Sequence, residues 1–144
     1  MATTTNYSWT TPDDTSLVKD GAAAIRTLGS SIDSTVFTGL TTATRNAQTG
    51  TTYTLVLADA GKLVDLNNAS AITLTVPLNS SVNYPVGTRI DLLQSGAGQV
   101  TVAGAVGVTI NSKGAALKLT GQWSAATLVQ RSANLWVLVG DIVA

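Results

Sequence analysis

The chain of 144 residues has no histidine and no cysteine. Ser-His-Asp and Cys-His arrangements are therefore excluded, as are zinc sites built on imidazole or thiolate. All eight acidic residues are Asp. A glycosidase needs only two suitably placed carboxyls, and the candidates beyond residue 52 are Asp59, Asp65, Asp91 and Asp141. Asp59 precedes Ala60-Gly61 as a turn residue does, and Asp65 and Asp91 fall at outward positions of strand-like segments. Turn and solvated roles are the expectation, with no catalytic residue, no cofactor and no metal. Gly96-Ala97-Gly98 opens like a dinucleotide fingerprint, but Thr101 stands where the third Gly belongs and no helix opens there. It reads as a hairpin turn. Asn6-Tyr7-Ser8, Asn68-Ala69-Ser70 and Asn79-Ser80-Ser81 match the glycosylation sequon, which has meaning only in a eukaryotic secretory pathway.

The aromatic residues offer binding chemistry instead. Tyr84 and Trp123 lie near turns, where rings flanked by amides and hydroxyls could stack on sugars. Packing over a sheet edge is the competing reading. Trp136 alternates with apolar residues and reads as an edge or interface tryptophan. Tyr7 and Trp9 precede the first helix in a segment with no core of its own, so a partner must bury them.

A strong helix start comes directly after Trp9. Thr11 suits the N-cap, Pro12 the first helical position, and Asp13 and Asp14 the positive end of the helix dipole. Val18, Ile25 and Ile32 then recur every seven residues with Gly21 and Leu28 between them, while Lys19, Asp20, Arg26 and Asp33 fall outside this seam. The stripe is narrower than the face a helix shows to a globular core. Gly21 and Gly29 each weaken an isolated helix by up to about 1 kcal/mol relative to Ala. Such a helix is expected to be stable alongside copies of itself, and Ile25 with Ile32 favours more than two strands. One amphipathic helix packed on its own β domain is the alternative. Residues 41–52 are polar and aperiodic and read as a neck.

From Tyr53 the period changes to two. Candidate strands are 53–57, 63–66, 71–76, 88–94, 99–103, 108–111, 116–120, 125–130 and 135–139, separated by Gly, Asn and Pro turns. The spacing predicts a mainly β protein: an antiparallel β-sandwich or jelly-roll-like knob over 53–144, carried on a helix over 12–40, with 1–11 as an attachment peptide. The apolar end Gly140-Asp141-Ile142-Val143-Ala144 is expected to join a sheet or an interface. Charged residues make up 11% with a formal net of zero, which leaves no electrostatic footprint for nucleic acid or anionic membrane. Mean hydropathy is +0.28, high for so few charges, and points to apolar surface held against neighbouring copies. Met1 to Thr5 has neither a basic nor an apolar signal region, so synthesis in a cytoplasm is expected.

Residues 6–33, from Asn6-Tyr7-Ser8-Trp9-Thr10-Thr11-Pro12-Asp13-Asp14 to Ile32-Asp33, resemble the N-terminal segment of tailed-bacteriophage fibre proteins. Leu57-Ala58-Asp59-Ala60-Gly61-Lys62-Leu63-Val64, Thr75-Val76-Pro77, Pro85-Val86-Gly87-Thr88 and Leu135-Trp136-Val137-Leu138-Val139-Gly140-Asp141 are similar to the terminal β domain of such fibres. The resemblance implies a non-enzymatic, homotrimeric virion protein. In that reading Tyr7, Trp9 and Pro12 attach it to tail or capsid and Val18, Gly21, Ile25, Leu28 and Ile32 form the trimer seam, with Tyr84 and Trp123 as the candidate glycan contacts if they do not pack over a sheet edge. A helix from Pro12 to Leu40 would be roughly 40 Å long, a stubby shaft. Short fibres also decorate capsids or serve as tail or baseplate adaptors, which is the alternative within the family. A carbohydrate-binding module or small glycosidase is the alternative outside it; a signal peptide would favour the first and a convergent acid pair the second.

Overall fold

A computed structural model describes residues 2–5, 7–11 and 18–144. The chain forms two compact units, residues 1–42 and 43–144. The expected N-terminal helix start at Pro12, Asp13 and Asp14 lies outside the described residues, as do the side chains of Val18 and Leu40.

In the first unit, β1 (Ala2–Thr3) and β2 (Thr10–Thr11) pair antiparallel, Ala2 opposite Thr11 and Thr3 opposite Thr10. The turn is closed by Thr4 N–H donating to Trp9 O at 2.9 Å and Ser8 N–H donating to Thr4 O at 2.9 Å. Helix α1 runs Val18–Thr41, about 36 Å at 1.5 Å per residue. Its hydroxyl residues bond back along the helix: Thr27 to Ala23 O, Ser31 to Thr27 O and Thr35 to Ser31 O, at 3.0, 2.9 and 2.8 Å. These side chains satisfy themselves locally and leave the apolar positions to decide packing.

The second unit is mainly β and built by winding. After β3 (Arg45–Gln48) and β4 (Thr52–Thr54), β5 (Leu63–Leu66) returns beside β3 and β6 (Ile72–Val76) beside β4. β7 (Arg89–Gln94) and β8 (Val100–Gly104) add a third coil in the same sense. β9 (Thr109–Ser112), β10 (Lys118–Leu119), β11 (Ala125–Ser132), β12 (Leu135–Gly140) and β13 (Ile142–Val143) complete two sheets. The six-stranded sheet has the order β3-β5-β7-β11-β12-β9 and the five-stranded sheet β13-β10-β8-β6-β4. Val64, Ile90, Leu92, Leu128 and Leu138 from one sheet share a core with Leu74, Val100, Val102 and Leu119 from the other. Each such side chain contributes roughly 1.5–3 kcal/mol on burial.

This topology corrects the antiparallel expectation. Five of the nine pairings in residues 43–144 are parallel. Alternation specifies which side chains point inward but not which strand lies alongside. The neck over 41–52 is also corrected. It holds the end of α1, all of β3 and the start of β4, because β3 pairs with β5 from Arg45↔Leu63 to Gln48↔Leu66. All nine expected strands are present, 63–66 with the expected bounds and the others with shifted ends, and the chain end joins a sheet through Leu119↔Ile142 and Lys118↔Val143.

Corner stacking holds the coils in register. Asn67 N–H donates to Gln48 O at 2.8 Å, and Ser95 N–H to Leu66 O at 3.1 Å. Asn68 Nδ2 reaches Thr49 O at 2.6 Å, and Gly98 N–H reaches Asn68 O at 2.8 Å. A Cβ at Gly96 or Gly98 would collide with the backbone of Asn68 or Ser70, so the approach of these corners requires glycine. Buried Gln94 pins the third corner, accepting from Val100 N–H at 3.0 Å and donating to Gly96 O at 3.3 Å.

Candidate functional site

On α1 the large apolar residues Ile25, Ile32, Val36 and Phe37 are exposed, while Ala24 is buried. Ile25 is 64% exposed, Val36 49% and Ile32 37%, while Gly21 and Leu28 are half-buried. At about 100° per residue, Gly21, Ile25, Leu28, Ile32 and Val36 fall within an arc of about 80°. The charged Arg26 and Asp33 lie outside that arc. Thus four expected seam residues share one face, extended by Val36; the fifth, Val18, is on the helix with its side chain undescribed.

Tyr7 and Trp9 are stacked with ring centroids 5.0 Å apart and planes at 15°. Trp9 is half-buried, and its Nε1–H donates to Thr35 Oγ1 at 3.2 Å. The expectation that both rings need an outside partner is corrected for Trp9, because the hairpin lays it on the chain's own helix. Tyr7 stays 63% exposed. Between the aromatic pair and α1 is an open cavity of about 770 Å³, lined also by Arg26, Ser30 and Ser34. Pro12 lies outside the described residues.

Within the second unit, a polar cluster closes the first coil. Asp59, 1% exposed, sits at the end of a single 3-10 turn, Leu57–Asp59. It accepts from Asn46 Nδ2 at 2.7 Å, Tyr53 Oη at 2.9 Å and the Val56 N–H at 2.9 Å. Gln48 Nε2 extends the cluster to Asn46 Oδ1 at 2.8 Å. Burial, followed by the hydrogen bond to Asp59, raises the Tyr53 phenol above its ordinary 10.0. Tyr84 Oη donates to Val56 O at 2.6 Å, and burial raises its phenol further, helped by the Asp59 charge.

Tyr84 is therefore a core residue, 3% exposed and edge-on to Trp136 at 5.3 Å. The glycan contact expected at Tyr84 is corrected: its ring is inside the fold and its hydroxyl is spent on Val56. Trp136, at 1% exposure, is core and neither edge nor interface. Trp123 is the opposite case, 69% exposed at φ 71°. A brace holds this unfavourable backbone. Trp123 N–H donates to Gln94 O at 2.6 Å, and Ser124 Oγ to Gly121 O at 2.5 Å.

Comparison with protein-family models, with curated proteins and with solved structures finds no match.

The remaining carboxylates have their own partners. Asp65 accepts from Arg45 Nε at 2.6 Å and from Ser95 Oγ, and Asp91 accepts from Thr127 Oγ1 at 2.6 Å. Both take the outward positions expected, yet Asp65 is buried under its partners rather than solvated. Asp59 is in a turn as expected but is likewise buried. Among the described residues no group of three or more His, Cys, Asp or Glu could hold a metal ion, and no helix is long and apolar enough to cross a membrane. Sequence reasoning missed the Asn46–Tyr53–Asp59 cluster, whose one legible signal was an acid placed before Ala60-Gly61.

Proposed function

We propose that this chain is a bacteriophage virion structural protein: a short homotrimeric fibre joined by its N-terminal segment to tail or capsid, with a β-sandwich knob that contacts the host surface. The uncovered stripe on α1 carries this reading. A 24-residue helix with Ile25 at 64% and Val36 at 49% exposure gains little from water and needs packing to persist. Copies of itself would cover the stripe in the manner of a coiled coil. The resemblance of residues 6–33 to fibre attachment segments supports the virion context, and exposed Tyr7 is the group left to meet another virion protein. Trp123 is the one residue of the expected glycan pair that remains at the surface.

The test is made on particles of the phage that encodes the chain. Antibody against the purified protein should decorate them at one structural position, and added protein should slow adsorption to host cells. Decoration without competition would favour a capsid-decorating or adaptor role. Absence from the particle would refute the reading.

A further inference from the structure

Both sheets of the second unit run out at the same end of the winding. β3 is a terminal strand of the six-stranded sheet and β4 of the five-stranded sheet, and both belong to the first coil. In an extended strand the N–H and C=O of one residue point to the same side, and those of the next residue to the other. Thr44 O and Gln48 O accept from Leu63 and Asn67 on the β5 side, so Arg45 and Ala47 aim their backbone groups at the open edge. Likewise Thr51 O accepts from Thr73 and Leu55 N–H donates to Thr75, which leaves Thr52 and Thr54 aimed outward from β4. Neither strand contains proline or lysine, and Arg45, the one charge, is tied to Asp65 at 2.6 Å. Edges so lightly guarded pair with other strands unless something else prevents it.

Inside the coils the side chains stack in columns. Register places Asn46 over Val64 and Leu92, Gln48 over Leu66 and Gln94, and Tyr53 over Leu74 and Val102. In the first coil every one of these columns ends on a polar group, and the groups are joined. Asn46 Nδ2 donates to Tyr53 Oη at 2.9 Å and to Asp59 Oδ1 at 2.7 Å, and Gln48 Nε2 donates to Asn46 Oδ1 at 2.8 Å. Asn46, Gln48 and Tyr53 are half-buried, so water still reaches them. A further coil laid on this end would strip that water away. It would also cover the Asp59 carboxylate, which has no cation partner among the described residues. Polar groups and an unpaired charge resist such burial strongly.

We propose that the Asn46–Gln48–Tyr53–Asp59 network is an end-cap: it stops the winding at β3 and β4 and keeps their open edges from pairing with the same edges of another copy. The network forbids a contact instead of making one, and it acts whether the chain is single or trimeric. An apolar first coil, with Val or Leu where Asn46 and Gln48 stand, would offer a second copy both a backbone template and an uncovered core.

The test gives the cap the residues that share its columns. Full-length protein carrying Asn46→Val, Gln48→Leu and Tyr53→Leu, with Asp59→Ala to remove the orphaned acid, loses both sides of each side-chain hydrogen bond, which is milder than losing one. Average mass by light scattering is followed against concentration, and near-ultraviolet circular dichroism reports folding. The unaltered chain should hold one mass, whereas the folded variant should at least about double that mass and grow further with concentration. Adding Ala47→Pro and Thr54→Pro, whose lost N–H groups face the open edges and not the ladder, should restore the parent mass. A folded variant that keeps the parent mass overturns the proposal, as does association that the two prolines leave unchanged in a folded protein. If the four changes prevent folding, Gln48→Leu alone, which leaves the Asp59 hydrogen bonds in place, is judged by the same two results.

Discussion

Replacing Asp59 with Ala should be among the most costly single changes on the polar side of the β unit. Its side chain is 1% exposed and receives Asn46, Tyr53 and the Val56 N–H at 2.7–2.9 Å. Hydrogen bonds to a charged group are worth about 1.5–3 kcal/mol each. The three donors are themselves only partly buried, so water recovers some of them after truncation. The net loss should be about 3 kcal/mol, which for a unit near 100 residues lowers Tm by roughly 12–24 °C. Tyr53→Phe removes one donor and should cost about 1 kcal/mol. Asp59→Asn keeps the shape but turns an amide N–H₂ toward donors, so its cost should fall between the two. Urea unfolding monitored by the near-ultraviolet circular dichroism of buried Trp136 reads all three. An Asp59→Ala midpoint within 0.5 kcal/mol of the parent would refute the cluster as the closure of the first coil.

Gly98→Ala forces a Cβ into the Ser70 backbone and should cost about 3 kcal/mol, measured by the same urea transition. Trp123→Gly releases a non-glycine residue held at φ 71° and should raise the midpoint by about 1 kcal/mol, whereas an equal Gly121→Ala gain would point to loop entropy instead. At alkaline pH the two phenols act together. Both are raised above 10.0 in the fold, so the native state holds protons that the unfolded state releases. Their stabilisation is complete below pH 10 and is lost as pH rises through the folded values. A pH series of urea midpoints should be flat below pH 9 and fall above pH 10, with the fall reduced in Tyr84→Phe combined with Tyr53→Phe.

Where side-chain period decides, the fold was legible: Ile72, Leu74 and Val76 alternate with Thr73 and Thr75 and do form β6. The winding was not legible, because a half-buried strand reads the same beside a parallel or an antiparallel neighbour. Strand β3 escaped notice since Arg45-Asn46-Ala47-Gln48 is polar, its place set by backbone pairing and by Asn46 and Gln48 in the Asp59 cluster. Tyr84 lies beside the Pro85-Val86-Gly87 turn, yet its hydroxyl finds a carbonyl that lets the ring enter the core. The hairpin at the N-terminus did carry a signal in the threonines flanking Asn6-Tyr7-Ser8. The apolar stripe on α1 was legible as well, since seven-residue spacing alone puts Ile25 and Ile32 on one face.

Self-association through that seam is the central claim, and the solution mass of the full-length protein by light scattering at micromolar concentration tests it most directly. The account predicts about 44 kDa, three times the 14.7 kDa chain, falling when Ile25 and Ile32 are both changed to Asp. A mass of 14.7 kDa for the unaltered chain would contradict it, and the exposed stripe on α1 would then need another partner.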